Sequence, residues 1–230
     1  MQKSMGFLFA LAGALGCASA GVETTKRLTS ELDVVRPSTI LVYDFDVSAK
    51  DVVVDTAGPG LVTGAGEPDE RDELGKKVAT ALSEAMVAEL RERGLVAERG
   101  TSGMKPPLNA LVLKGQFVTV DEGDQMARVT VGFGAGSTEI RARAQVFQQT
   151  STGLRPISEG EISADGNSMP GMLVPVSAGA IAGSALTSAA ISGGLSTLRE
   201  VGGPLASDLE NIAEELADRA VALYERRGWR

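Results

Sequence analysis

The chain has 230 residues, no histidine and a single cysteine, and its net charge is −8. A chain of this length can bury a sizeable core, whereas so acidic a composition argues against a general nucleic-acid-binding protein. The missing histidine excludes a Ser-His-Asp triad, a Cys-His pair and imidazole metal ligands, and one cysteine cannot form an internal disulfide.

Residues 1–16 have the layout of a secretory signal peptide. Lys3 gives a positive start, and the apolar stretch that follows it is too short to span a bilayer. Two cleavage sites compete after this stretch. Ala14-Leu15-Gly16-Cys17 resembles the bacterial lipobox, although Ala14 stands where leucine is expected, and Ala18-Ser19-Ala20 fits ordinary cleavage before Gly21.

We expect lipidation at Cys17, because the only cysteine of the chain directly follows the apolar stretch. Acyl chains on this residue would hold the protein to a membrane by hydrocarbon burial. Ala18 follows the cysteine, so there is no aspartate of the kind that retains lipoproteins in the inner membrane. The expected location is the periplasmic face of the outer membrane, whereas cleavage before Gly21 would leave a soluble periplasmic protein.

Residues 17–37 are polar and predict a tether, and residues 38–230 predict a single α+β domain. The first predicted strand, Thr39–Val47, carries apolar residues at alternate positions. Residues 48–71 are acidic and rich in glycine and proline, which is typical of disorder.

Two amphipathic helices are predicted. The first covers Asp72–Arg93, with Gly94 as its C-terminal cap. The second follows Gly202-Gly203-Pro204, with Ser207 and Glu210 at capping-box spacing and Gly228 as its C-terminal cap. Their apolar stripes are Leu74, Val78, Leu82, Ala85 and Met86 in the first helix, and Leu205, Leu209, Ile212, Leu216, Ala220 and Leu223 in the second.

The remaining strands are predicted at Asn109–Asp121, Arg128–Phe133, Glu139–Phe147 and Ile157–Ala164. The sequence therefore predicts an α+β fold in which a single layer of about four mostly antiparallel strands is covered by the two amphipathic helices. A Gly/Ala-rich uncharged segment adds to this layer.

That segment covers residues 168–198, and Gly179 and Gly183 in it form a GxxxG motif. Small residues at this spacing let two helices approach closely. Three interpretations stay open for it: a helix packed within the domain, an oligomer interface, and insertion into a membrane.

Three groups of residues resemble parts of known sites but lack essential neighbours. The glycines of residues 132–136 lack the third glycine and the helix of a dinucleotide-binding loop, so they predict a bend or bulge in a sheet. An acidic turn has too few ligands for a calcium loop, and a carboxylate cluster lacks the aromatic platforms that accompany glycosidase acid–base pairs. The turn contains Asp121, Glu122 and Asp124, and the cluster contains Glu159, Glu161 and Asp165.

Five segments stand out in order along the chain. They are VYDF (42–45), GQFVTVDEGD (115–124), VGFGAGSTEIRARAQVF (131–147), SMPGM (168–172) and the Gly/Ala run to Gly194. Together they resemble a bacterial envelope lipoprotein family, domain of unknown function 4410. The resemblance implies a lipobox, and hence lipidation of Cys17, and it implies no reaction, ligand or catalytic residue.

We therefore expect a non-enzymatic, lipid-anchored envelope protein that acts in periplasmic binding or scaffolding, or as an accessory subunit of an export or assembly system. The alternative is a membrane-inserting or pore-forming oligomer that uses the Gly-rich segment. The expected partners are the membrane, through the anchor, and other copies of the chain or other envelope proteins. No nucleic acid, cofactor or metal is expected, and the sequence identifies no small-molecule substrate.

Overall fold

The computed structural model describes residues 20–28, 33–54, 67–123, 136–165 and 194–230. The predicted signal peptide, the predicted lipidation site Cys17, the predicted strand at residues 128–133, and the predicted contact residues Gly179 and Gly183 lie outside these ranges.

Within the described ranges the chain forms seven strands and three helices. The strands are β1 (Ala20–Arg27), β2 (Ile40–Tyr43), β3 (Val52–Val53), β4 (Ala97–Gly100), β5 (Leu111–Asp121), β6 (Glu139–Thr150) and β7 (Gly153–Asp165). The helices are α1 (Pro68–Glu92), α2 (Gly194–Val201) and α3 (Gly203–Arg226).

The strands form one mixed sheet in the order β1-β7-β6-β5-β2-β4, and β3 pairs with the far end of β5. Strand β2 runs parallel to both β4 and β5, and α1 makes the crossover from β2 to β4. The other neighbours, β5 to β6, β6 to β7 and β7 to β1, are antiparallel. The sheet therefore combines a βαβ unit with an antiparallel meander.

Helices α1 and α3 pack on one face of this sheet and on each other. Alternate residues of the strands reach this core, for example Ile140, Ala142 and Ala144 in β6, as a strand with one buried face requires. The predicted apolar stripe of α1 is confirmed, because its members from Val78 to Met86 are buried and Leu74 is half-buried against the core.

The α+β prediction is confirmed, whereas the layer of about four mostly antiparallel strands is wrong. The sheet has seven strands, and two of its pairings at β2 are parallel. Strand β4 escaped prediction because its sequence, AERG, contains no large apolar residue. Strand β1 escaped because its polar sequence, AGVETTKR, looked like a linker.

The predicted tether at residues 17–37 is therefore wrong for most of its length. Residues 20–27 pair with β7 from Ala20↔Ala164 to Arg27↔Ser158. Further along, the Val34 side chain is buried in the core. The buried Gln148 side chain holds the next residue, since its Nε2 donates to the Val35 carbonyl at 2.7 Å and its Oε1 accepts from the Val35 amide at 3.1 Å.

The ends of α1 and α3 test the predicted caps. Gly94 and Gly228 follow the two helices with φ of +78° and +63°, so both predicted C-terminal caps are confirmed. The capping box at Ser207 is wrong, because α3 already begins at Gly203. The disorder predicted for residues 48–71 is wrong at both ends, where a 3₁₀ turn leads into β3 and a capping box at Glu67 starts α1.

Candidate functional site

A cavity of about 580 Å³ lies between the sheet and the second half of α3. This volume is within the roughly 300–1,000 Å³ of typical small-molecule sites. Most of the lining is apolar and comes from the sheet, α1 and α3. The lining residues are Arg27, Val34, Ile40, Met86, Leu90, Leu111, Leu113, Ala144, Val146, Ile157, Ser158, Glu159, Gly160, Leu216, Arg219, Ala220, Ala222, Leu223 and Arg226.

The cavity coincides with a change in how closely α3 contacts the sheet. In the first half of the helix, Leu205, Leu209 and Ile212 are fully buried. The second half contains the other three residues of the predicted stripe. These residues, Leu216, Ala220 and Leu223, are only half-buried. The stripe therefore continues in sequence, but its later members line an open space instead of filling it.

Three arginines surround the opening of this space. Arg27 at the end of β1 and Arg219 and Arg226 on α3 line the cavity with exposed side chains. Glu159 is the one carboxylate among the lining residues, and its Oε1 accepts a hydrogen bond from Gln145 Nε2 at 2.9 Å. Arg219 Nε also donates to Glu215 Oε1 at 2.9 Å. The described lining therefore carries three arginines and one glutamate, in a chain whose net charge is −8.

A polar cluster outside the cavity joins β2 and β4 to α1. Asp44 Oδ1 accepts from Ser83 Oγ at 2.5 Å and from Arg99 Nε at 2.8 Å. Arg99 also pairs with Glu84, whose other carboxylate oxygen accepts from Thr197 of α2. Burial by itself raises the pKa of Asp44, but the hydrogen bonds from Arg99 and Ser83 outweigh it and lower the pKa below its ordinary value.

Two further contacts join α3 to the rest of the molecule. Arg93 at the end of α1 pairs with Glu89 on its own helix and with Asp218 on α3, the latter at 2.8 Å. On the first half of α3, the buried Asp208 carboxylate accepts a hydrogen bond from the buried Thr138 hydroxyl. These groups position the helix, and neither contributes to the lining of the cavity.

The predicted acidic turn is a turn stabilised by its own side chain. Asp121 Oδ1 accepts from the Gly123 amide at 2.8 Å, and Gly123 has a φ of +73°. Asp124, Gly132 and Gly134 lie outside the residues that the structure describes. No group of three or more acidic or cysteine side chains in the described ranges is arranged to hold a metal ion.

Two carboxylates of the predicted cluster bind different side chains on the neighbouring strand β6 and do not form one site. Glu159 accepts from Gln145, and Glu161 lies 3.8 Å from Arg143 Nε. The structure therefore places these carboxylates in cross-strand pairs.

Among the helices that the structure describes, none is long and apolar enough to cross a membrane.

Sequence reasoning missed the arginines of the opening. Arg27 lies in the predicted tether, and Arg226 lies at the end of the second predicted helix, two residues before its cap Gly228. One signal in the sequence could have indicated them. Arg219 and Arg226 lie on the same helical turns as Ala220 and Leu223, so cations flank the apolar stripe at this end of the helix.

Comparison with known proteins identifies a family and a few distant structures. A family model described as "Domain of unknown function (DUF4410)" matches residues 40–183, which is more than half of the chain. No curated protein matches.

Three solved structures are similar at low identity. A PelC dodecamer from Paraburkholderia phytofirmans is 10% identical, with a TM-score of 0.42 and coverage of 85% of this chain and 93% of that one. A variant PelC dodecamer from the same organism is 11% identical, with a TM-score of 0.38 and coverage of 85% and 94%. A Xanthomonas campestris protein of family DUF330 is 11% identical, with a TM-score of 0.37 and coverage of 84% and 89%.

Proposed function

The chain belongs to the family described as domain of unknown function 4410, and we propose that it is a non-enzymatic binding protein anchored by lipid in the bacterial envelope. The cavity beneath α3 is the observation that carries this proposal. It is preformed, mostly apolar and edged by a few charged groups, which is the usual form of a site for a small molecule.

The non-enzymatic character is supported by the partners of the buried and half-buried polar groups. The Asp44 cluster joins two strands to α1, and the Arg93 cluster joins α1 to α3. Both stabilise packing between elements, and neither contributes a side chain to the cavity. Among the described residues that line the cavity, Glu159 is the one carboxylate, so these residues offer no second carboxylate for acid–base catalysis.

The anchor is supported by the signal peptide and by Cys17. Because β1 begins at Ala20, a lipidated Cys17 would be separated from the sheet by two residues, and the distance from Cys17 to Ala20 is at most about 11 Å. The proposal therefore places the first strand close to the membrane surface.

The anchor is tested in the native host by labelling with radioactive palmitate and by treatment with globomycin. Wild-type protein should take up label and accumulate as a precursor under globomycin, whereas Cys17→Ser should do neither. Equal labelling of the two proteins, or no labelling of the wild type, would refute lipidation at Cys17.

The cavity is tested with N-phenyl-1-naphthylamine, an uncharged apolar probe that fluoresces on leaving water. The whole chain carrying Cys17→Ser avoids the need for detergent. We expect saturable binding, weakened at least tenfold by Ala220→Phe, because the larger side chain fills the space. Ala206→Phe is the matched control, since Ala206 is half-buried on the same helix but does not line the cavity. Equal losses in both variants, with both folded by circular dichroism, would refute binding in the cavity.

A further inference from the structure

We infer that the cavity beneath α3 binds a single-chain lipid anion, with its hydrocarbon chain between helix and sheet and its anionic head at the arginines of the opening. This inference rests on the proposed binding function and names its ligand class. It combines the apolar lining with the basic opening, which the sequence did not connect.

The volume of the cavity limits the length of the bound hydrocarbon chain. Residues of five strands and two helices, among them Leu111, Ile157 and Leu223, line the space. A methylene group takes up about as much room as a water molecule in the liquid, roughly 30 Å³. A volume of about 580 Å³ therefore accommodates one acyl chain of ordinary length.

The charged side chains among the lining residues favour a negative charge on the head group. Among the lining residues that the structure describes, three are arginines and one is a carboxylate, although acidic residues outnumber basic ones in the chain, 30 to 22. Guanidinium groups bind carboxylate and phosphate oxygens through paired hydrogen bonds. An anion at this opening would thus meet guanidinium donors from two elements, β1 and α3.

The position of the opening separates this ligand from the anchor of the protein itself. Arg27 ends β1, whereas Cys17 precedes its start, and a strand of this length spans about 23 Å. The acyl chains of a lipidated Cys17 would therefore begin at the opposite end of the strand. The bound lipid is a separate molecule, either a free fatty acid with a carboxylate or a lysophospholipid with a phosphate.

Displacement of the fluorescent probe tests the ligand class. The competitors are palmitate, palmitoyl-lysophosphatidylglycerol and uncharged hexadecanol, each below its aggregation concentration, with the whole chain carrying Cys17→Ser. At least one of the two anions should compete about tenfold better than hexadecanol, and which anion is stronger identifies the source. Shortening the fatty acid should weaken competition by about fourfold for each methylene lost.

Charge-removing variants locate the head group. The double variant Arg219→Gln, Arg226→Gln should weaken competition by the anion about tenfold and leave binding of the uncharged probe unchanged. Arg143→Gln is the matched control, because Arg143 is an exposed arginine on β6 outside the cavity, and it should change neither value.

The outcomes separate the two proposals. Probe binding with equal competition by hexadecanol and both anions would overturn the lipid anion and leave a binding site for apolar molecules. Equal weakening by the double variant and by Arg143→Gln would also overturn it. Absence of probe binding by the folded protein would overturn the proposed function and the ligand together.

Discussion

Gly115 on β5 is expected to be intolerant of any side chain, because the ring of Phe45 occupies the space beside it. A Cβ atom at Gly115 would lie 2.3 Å from Phe45 Cε2 and 2.5 Å from Cδ2, well inside van der Waals contact. The Phe45 ring cannot move aside easily, since it is buried and packs on Phe117 with ring centroids 5.6 Å apart. Gly115→Ala should therefore displace a core aromatic side chain.

Overpacking of this kind costs about 1–3 kcal/mol. For a chain of this size each kcal/mol lowers the melting temperature by about 2–4 °C, so Gly115→Ala should melt roughly 2–12 °C below the wild type. The measurement is thermal unfolding followed by circular dichroism, on whole chains carrying Cys17→Ser.

A double-mutant cycle gives the control. Phe45→Leu removes the obstructing ring at its own cost in packing, and the added methyl group of Gly115→Ala should then cost little or nothing. The two changes should be coupled by about 1–2 kcal/mol, within the range seen for residues in contact. Additive effects, or a Gly115→Ala variant as stable as the wild type, would refute the argument from the Phe45 ring.

Three further predictions concern other parts of the molecule. Because the pKa of Asp44 is lowered in the folded state, its contribution to stability is present above the unfolded pKa of about 4 and is lost as the pH falls through the lower folded value. Asp44→Asn should therefore lose less stability than the wild type in melting experiments between pH 5 and pH 2; a parallel decline would contradict the role of Arg99. Gln148→Leu should cost about 1–3 kcal/mol by leaving backbone groups unpaired, and hydrogen exchange should quicken at residues 33–37; unchanged exchange there would contradict it. Gly179→Leu with Gly183→Leu should alter oligomeric state or detergent partitioning if the Gly-rich segment serves as an interface or inserts; no change in either would exclude both interpretations.

Helices α1 and α3 and strands β5 and β6 were predictable because their apolar periodicity is strong. In α1, four of the five predicted stripe residues are buried, and Ile140, Ala142 and Ala144 in β6 face the core as predicted. Both cap glycines were predictable for a related reason, since a helix that ends in a left-handed residue favours glycine. These signals are local, and the structure preserves them.

Strands β1 and β4 were not predictable from local pattern, because neither has an apolar face to detect. Strand β4 is specified by its partners: Arg99 in its centre binds Asp44 from the neighbouring strand and Glu84 from α1. Residues 33–37 are likewise held by Gln148, more than a hundred positions away in the chain. Such long-range polar contacts leave no periodicity in the segment that they position.

The cavity shows a different limit of sequence reasoning. The stripe of α3 predicts one continuous buried face, and hydrophobic periodicity treats Leu209 and Ala220 as equivalent members of it. Packing depends on side-chain volume as well as on polarity, so the same stripe contacts the sheet closely at Leu209 and leaves room beside Ala220. An apolar stripe with alanine at one end and arginines beside it is therefore consistent both with a packed helix and with a binding site. Only the distance between helix and sheet, which no single element encodes, distinguishes the two.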